Sequence, residues 1–554
     1  MSVQEMSSSS AAQPGPSPRA WLRLLGAWSL AIGLLIVAVW PVIAIVTPET
    51  FATVINLSKR AKVQIKSAYP DIEASADGKY VAVVWSRGYD ADPKVKEYGY
   101  IFLKSAVTGT NSTSDGWENQ VKVFTPTDEL WGGTKPRVVF DPNDSGKLYV
   151  TWVGCDVTKI PASPPYSSVS YQCDAIMAAT CTLTGADQCS SQETVYAELH
   201  ASPSLATPDI AVDKSGQPHV IWKNETTGTG AAQGIQYSRK SAGSWSAPVT
   251  VVGTDLSSYN PALVWGGGPS GNGRLHLIWY QYNDVAGSRY VRYSADDPGT
   301  GGWSNNPAAR WSAPSIAQFT GGGTGQAYIK PSIAASGATV YAAWDAYKNS
   351  TSPEEFVLAY DWSTDSGTSW QDPGLGSHSG LCSTFDEGDG CGIPNAKEFG
   401  SNPTYESPWE YSQHETIAEE RTLRPSIAIS GAVPALAWHY MEHDIDVDYT
   451  AYVIVYQEGI TDSGSITWTD PIIILDNINY DPSPPGTAYD DSADPDLALA
   501  PGSGVHIAHM GMWGGLRTNE ASDWDIYYRG DIKTDNSTDG AGGVYLPIML
   551  KNRQ

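Results

Sequence analysis

Basic residues are scarce in this 554-residue chain: 34 Lys and Arg stand against 60 Asp and Glu, a net charge of −26. Phosphate backbones and anionic lipid surfaces repel such a surface, which excludes nucleic acid as a partner. Cysteine is limited to six residues without a C-x-x-C pair, and the nine histidines show no zinc spacing, so neither a zinc centre nor a dithiol redox pair is expected. Phosphate-loop chemistry is absent too, because Gly266-Gly267-Gly268 and Gly321-Gly322-Gly323 lack a strand-to-helix setting and read as turns. Phenylalanine is rare, at 8 residues, beside 21 Trp and 30 Tyr, while 54 Gly and 37 Pro supply turns; that balance favours short strands over long helices.

Long apolar runs are missing with one exception. Leu24 to Val46 is interrupted only by small residues, Ser29 and Pro41, and is long enough to span a bilayer. It exceeds a typical cleaved signal core, and no clean small-x-small cleavage site follows it, so it reads as an uncleaved anchor over 21–46. Arg19 and Arg23 precede the span and keep the polar head, 1–20, in the cytoplasm. Everything after it is expected outside, in a single-pass cell-membrane protein. The cysteines agree with export: Cys155, Cys173, Cys181 and Cys189 form one local group and Cys382 with Cys391 another, which reads as disulfides stapling two long loops. Cys382 with Cys391 is the expected pair of the second group; spacing leaves the pairing of the other four open.

The rest of the chain repeats itself. A unit of the form x-Pro-x-(Ile/Leu/Val), a turn with Asp or Gly, and a strand ending in Trp recurs seven times. The copies open at Pro70, Pro136, Pro208, Pro261, Pro331, Pro425 and Pro495, and six close at Trp85, Trp152, Trp222, Trp279, Trp344 and Trp438. The seventh carries His509-Met510 where the tryptophan belongs. Pro70 to Pro495 is 425 residues in six steps, about 71 per copy. Each copy reads as a hairpin followed by two further strands, the fourth commonly opened by a Trp with Pro three residues on, as in Trp245-Ser246-Ala247-Pro248. Four antiparallel strands repeated around an axis make an all-β fold, a β-propeller of seven four-stranded blades, with six as the alternative count. The propeller is expected over 67–535, after a stalk at 47–66, with a tail at 536–554. Alternation in Arg60 to Lys66 marks a strand without a blade of its own, expected to pair with the last blade and close the ring.

Ser363-Thr364-Asp365-Ser366-Gly367-Thr368-Ser369-Trp370 matches the Asp-box pattern Ser-x-Asp-x-Gly-x-x-Trp, with degenerate relatives near Ser238, Ser294 and Thr461. In these motifs the chain resembles the sialidase-like propellers, the family of bacterial neuraminidase repeats. The box itself is a folding element, in which Ser and Asp hold a turn and Trp packs into the blade. If the resemblance extended to activity, it would imply an exo-acting sialidase-type glycoside hydrolase, with arginines clamping a sugar carboxylate, a Tyr/Glu nucleophile pair and an aspartic acid catalyst. Tyr440 and Glu442 imitate the pair and Asp345 the acid. The family's Arg-Ile-Pro motif is absent, since Tyr69-Pro70 stands there, and Arg424 is the only pre-proline arginine, with Lys135, Lys330 and Arg87 as further cations at the channel mouth.

The first functional expectation is therefore a surface propeller that binds a glycan or an envelope protein at that mouth, with the hydrolase and a structural envelope scaffold as alternatives. No cofactor is required. Ca²⁺ is a possible ligand of Asp444, Asp446 and Asp448, whose alternation points three carboxylates to one side of an extended strand. His506 and His509, on one strand, read as structural.

Overall fold

The computed structural model describes strands and tight turns between residues 55 and 530; residues 1–54, 531–554 and the longer connections, among them 157–171, 297–314, 371–416 and 475–491, lie outside the described residues. The expected anchor and tail belong to that remainder, and among the described residues no helix is long and apolar enough to cross a membrane.

The described chain is all β, in seven blades. Their first strands are Ser67–Ala74, Trp131–Asp141, Asp209–Val212, Ser257–Gly266, Ser332–Ser336, Ile417–Ser430 and Ser492–Ala500. Each lies against the first strand of the next blade, and the seventh lies against the first, so the ring is closed. Within blades 1 to 6 the order is that of the sequence, every pairing antiparallel, as in Ser67–Ala74, Tyr80–Arg87, Tyr100–Val107 and Val121–Phe124 of blade 1. Blades 5 and 6 are joined by one parallel pair, Phe356 with Arg421.

Period-two patterning accounts for the packing, because both faces of a blade meet a neighbour. In blade 1, Val81, Val83 and Trp85 face Ala508, Met510, Ile526 and Tyr528 of blade 7, while Ala82 and Val84 join Val138, Phe140, Val150 and Trp152 of blade 2. Trp85, Trp152, Trp222, Trp279 and Trp438 each fill the joint with the preceding blade and are almost fully buried. In blade 7 the equivalent His509 is buried as well, its ring stacked 5.8 Å from that of Tyr527. Three blades share a second device three residues before that position, a hydrogen bond between His Nδ1 and a tyrosine hydroxyl: His219 with Tyr237 at 2.8 Å, His276 with Tyr293 at 2.7 Å, His506 with Tyr528 at 2.8 Å. These rings are structural, and burial holds His276 down to about 3, with the Arg274 charge acting in the same direction.

An outer strand of blade 7 comes from within the 47–66 segment expected to close the ring. Ile55–Asn56 pairs antiparallel with Trp524–Gly530 as the outer strand of blade 7, whereas residues 59–66 lie outside the described residues. Burial explains the choice, since Ile55 and Leu57 sit in the joint between blades 7 and 1. Polar clamps secure it: Asn56 Nδ2 donates to Asp525 Oδ2 at 2.9 Å, Ser58 Oγ to Asp525 Oδ1 at 2.7 Å, and Arg87 Nη2 to the Ser58 carbonyl at 3.4 Å.

The Asp-box forms the turn after Phe356–Ser363. Ser363 Oγ accepts the Gly367 N–H at 2.8 Å and Asp365 Oδ1 accepts the Ser369 N–H at 2.8 Å. Trp370 meets Tyr293 of blade 4 edge-on at 4.8 Å, so the motif staples two blades. Of the cysteines, Cys181 and Cys189 form a disulfide in blade 2. Cys155 and Cys173 are register partners across the second and third strands of that blade, and Cys382 and Cys391 lie outside the described residues.

Candidate functional site

The innermost strand of a blade is a sheet edge whose outward N–H groups need acceptors. The residue after each opening proline supplies one across the joint. Asp71 Oδ2 accepts the Val138 N–H at 2.6 Å, and Asp209 Oδ2 the Leu263 N–H at 2.6 Å. Ser332 Oγ accepts from Ile427 at 3.1 Å, Ser426 Oγ from Leu497 at 3.1 Å, and Asp496 Oδ2 from Ile72 at 2.8 Å. Five of the seven joints are thus latched by one repeated position, including the joint that closes the ring. At the other two that position is Arg137 and Ala262, neither of which can accept a hydrogen bond.

Arg137 takes another role. Its Nη1 lies 3.0 Å from Asp71 Oδ1 and its Nε 4.0 Å from Asp209 Oδ1, bracing blades 1, 2 and 3. Three latch aspartates and Glu73 therefore share the channel wall with one guanidinium. Burial pushes the Asp71 carboxyl well up against the opposing pull of Arg137, and it raises Asp209 to about 6. It lifts Glu73 to about 8, with the Asp496 charge adding to the rise. This wall was not foreseen from the sequence, although Asp or Ser after five of the seven opening prolines was its signal.

Around five of the seven opening prolines the first strand makes a β-bulge. The ladder skips between Ala68 and Asp71, Thr134 and Arg137, Tyr259 and Ala262, Leu423 and Ser426, and Ala493 and Asp496. Of the six non-glycine residues with positive φ among the described residues, four are the pre-proline residues at these bulges: Tyr69 (56°), Lys135 (50°), Asn260 (48°) and Arg424 (54°). Left-handed backbone is uncommon for any of them and for a bulky ring is an outlier. A bulge re-aims a side chain, and here it does so at the same height on four blades, where connections arrive from the preceding blade. Tyr69, Lys135, Asn260 and Arg424, one aromatic, one amide and two cationic residues, thus share one repeat position.

The other sequence candidates are distributed over several blades. Lys330 lies two residues before the first strand of blade 5, with Pro331 between them. Arg87 ends the second strand of blade 1, but its guanidinium lies 4.5 Å from the Phe102 ring centroid besides bonding Ser58, so it holds the closing strand. Tyr440 and Glu442 stand two residues apart on Val433–Asp444, in register with Thr422 and Glu420, just beyond the Arg424 bulge on the same ladder. Asp345 is on the second strand of blade 5, opposite Leu358. Asp444 ends its strand, whereas Asp446 and Asp448 lie outside the described residues. Among the described residues no group of three His, Cys, Asp or Glu side chains is placed to hold a metal ion.

No family model matches the chain, and no curated protein does. Solved structures do resemble it. A Trypanosoma rangeli sialidase in complex with sialic acid is 10% identical with a TM-score of 0.36, over 86% of this chain and 57% of the sialidase chain. This chain therefore spans under two thirds of the sialidase's length. An α-L-arabinanase of Penicillium chrysogenum complexed with arabinobiose gives 10% and 0.37, over 86% of this chain and 98% of the other. AofleA from Arthrobotrys oligospora gives 10% and 0.35, over 77% and 90%. Similarity at this level says nothing about activity, and the propeller assignment rests on the blade topology above.

Proposed function

We propose that the chain is a membrane-anchored, extracytoplasmic propeller that binds a glycan or an envelope partner at its channel mouth. The observation that carries this reading is the repeated pre-proline bulge, which turns Tyr69, Lys135, Asn260 and Arg424 into left-handed backbone at one level of the ring. Left-handed backbone repeated on four blades holds these residues in a fixed conformation before a ligand arrives. The apolar run at 21–46 supports the anchor. The disulfide between Cys181 and Cys189 supports a compartment outside the cytoplasm.

One arrangement favours hydrolysis as a second reading. Arg424, Tyr440 and Glu442 share one two-stranded ladder, so a cation, a phenol and a carboxylate come from neighbouring positions of blade 6. A fluorogenic sialoside assay on the detergent-solubilised full chain separates the two. Binding without turnover is the expected result; turnover abolished by Tyr440→Phe and by Arg424→Ala would replace the binding module with a sialidase-type enzyme.

A further inference from the structure

We infer that Tyr69 and Lys135 form a carbohydrate platform at the joint between blades 1 and 2, built for a neutral pyranose unit. The inference rests on the mouth being a binding site, and it gives that site a ligand class. Tyr69 is 40% exposed in a propeller whose described aromatic rings are otherwise largely covered; the other exposed large apolar side chains among the described residues are Val107 and Val433. Its φ of 56° strains an aromatic residue, and Lys135 repeats the conformation one blade on, at 50°. The Lys135 ammonium lies 5.8 Å from the Tyr69 ring centroid, so ring and charge belong to one patch.

The spacing of that patch is fixed from beneath. Asp71 follows Tyr69 by two residues, and Arg137 follows Lys135 by two. Their ion pair at 3.0 Å and the Val138 N–H on Asp71 at 2.6 Å bolt the two bulges together. A phenol ring presents an apolar face suited to the C–H face of a pyranose, and an ammonium is a donor that matches hydroxyl and ring oxygens. The wall below selects against anionic sugars. Its one guanidinium, Arg137, is already engaged by Asp71 at 3.0 Å and approached by Asp209 at 4.0 Å, so a sugar carboxylate entering there would have to compete with two carboxyls of the chain for that cation.

The test is equilibrium binding of the full chain to cello-, galacto- and mannohexaose, with hexagalacturonate as the anionic comparison. At least one neutral hexaose is expected to bind in preference to the uronate. Tyr69→Asn, which tolerates left-handed backbone, should weaken that binding by about tenfold or more, and Lys135→Asn by several-fold, with unchanged melting temperature. Preference for hexagalacturonate, failure of every neutral hexaose, or indifference to Tyr69→Asn would overturn the platform. A bound saccharide lost with Arg424→Gly but kept with Tyr69→Asn and Lys135→Asn removes the platform and leaves the mouth as a site. Indifference to all three substitutions removes the mouth itself.

Discussion

Replacing Asp496 by alanine attacks the joint where the ring closes. Its carboxylate accepts the Ile72 N–H at 2.8 Å and the Ser426 hydroxyl at 2.7 Å, so one side chain ties blade 7 to blades 1 and 6. A hydrogen bond to a charged group contributes about 1.5–3 kcal/mol, and stranding a buried donor costs about 1–3 kcal/mol. Against this, losing the charge relieves Asp71 and Glu73, both of which Asp496 repels. The net loss is therefore expected at about 2–4 kcal/mol in urea denaturation at pH 7. Asp496→Asn isolates the latch from the charge, because the amide oxygen still accepts while the repulsion disappears; it should cost under about 1 kcal/mol. Alanine within about 0.5 kcal/mol of the unmodified chain, or asparagine as damaging as alanine, would refute the latch.

Glu73→Gln should remove a pH dependence. The carboxyl is raised to about 8 in the folded chain, so it opposes folding once the unfolded chain ionises near 4.5, and stability falls as pH rises from there to about 8. Partial exposure to the channel moderates the effect, and the variant should gain about 1–3 kcal/mol at pH 8 and nothing at pH 4.5, as read by urea midpoints across that range. Arg137→Leu leaves Asp71 and Asp209 without their shared cation and should cost about 3–5 kcal/mol at pH 7, with part regained near pH 5 as the carboxyls protonate; a pH-independent loss would contradict the brace. Gly367→Ala should lower the melting temperature, because φ at this residue is 74° and a Cβ there would fall 1.8 Å from the Tyr293 hydroxyl; an unchanged melt would contradict the Asp-box staple.

The blades were legible because their two strongest punctuation marks do physical work that sequence displays directly. Proline opens the inner strand, and tryptophan fills the joint with the preceding blade, as Trp85 does against blade 7. His509 shows why the seventh copy could drop the tryptophan, since a ring stacked on Tyr527 still occupies the place. The pairing of Ile55–Asn56 was not legible, because alternation in 60–66 is a local signal, whereas the burial of Ile55 and Leu57 depends on partners more than 400 residues away. The latch hid in the variable position of the repeat, where Asp and Ser look like turn residues until the neighbouring blade supplies the N–H. Least legible was the backbone at the mouth. Lysine, arginine and tyrosine before proline favour extended conformations, and the ladder on both sides of the bulge imposes the left-handed one.

The mouth is tested most directly by a variant that removes its side chains and keeps its backbone. Tyr69, Lys135, Asn260 and Arg424 all replaced by glycine would lose the presented groups while the left-handed conformation becomes easier to adopt. Measured on a broad glycan and envelope-protein panel, the unmodified chain should retain a ligand that the fourfold variant fails to bind, with melting temperature preserved or raised. Equal retention by both proteins would contradict a functional site at the channel mouth.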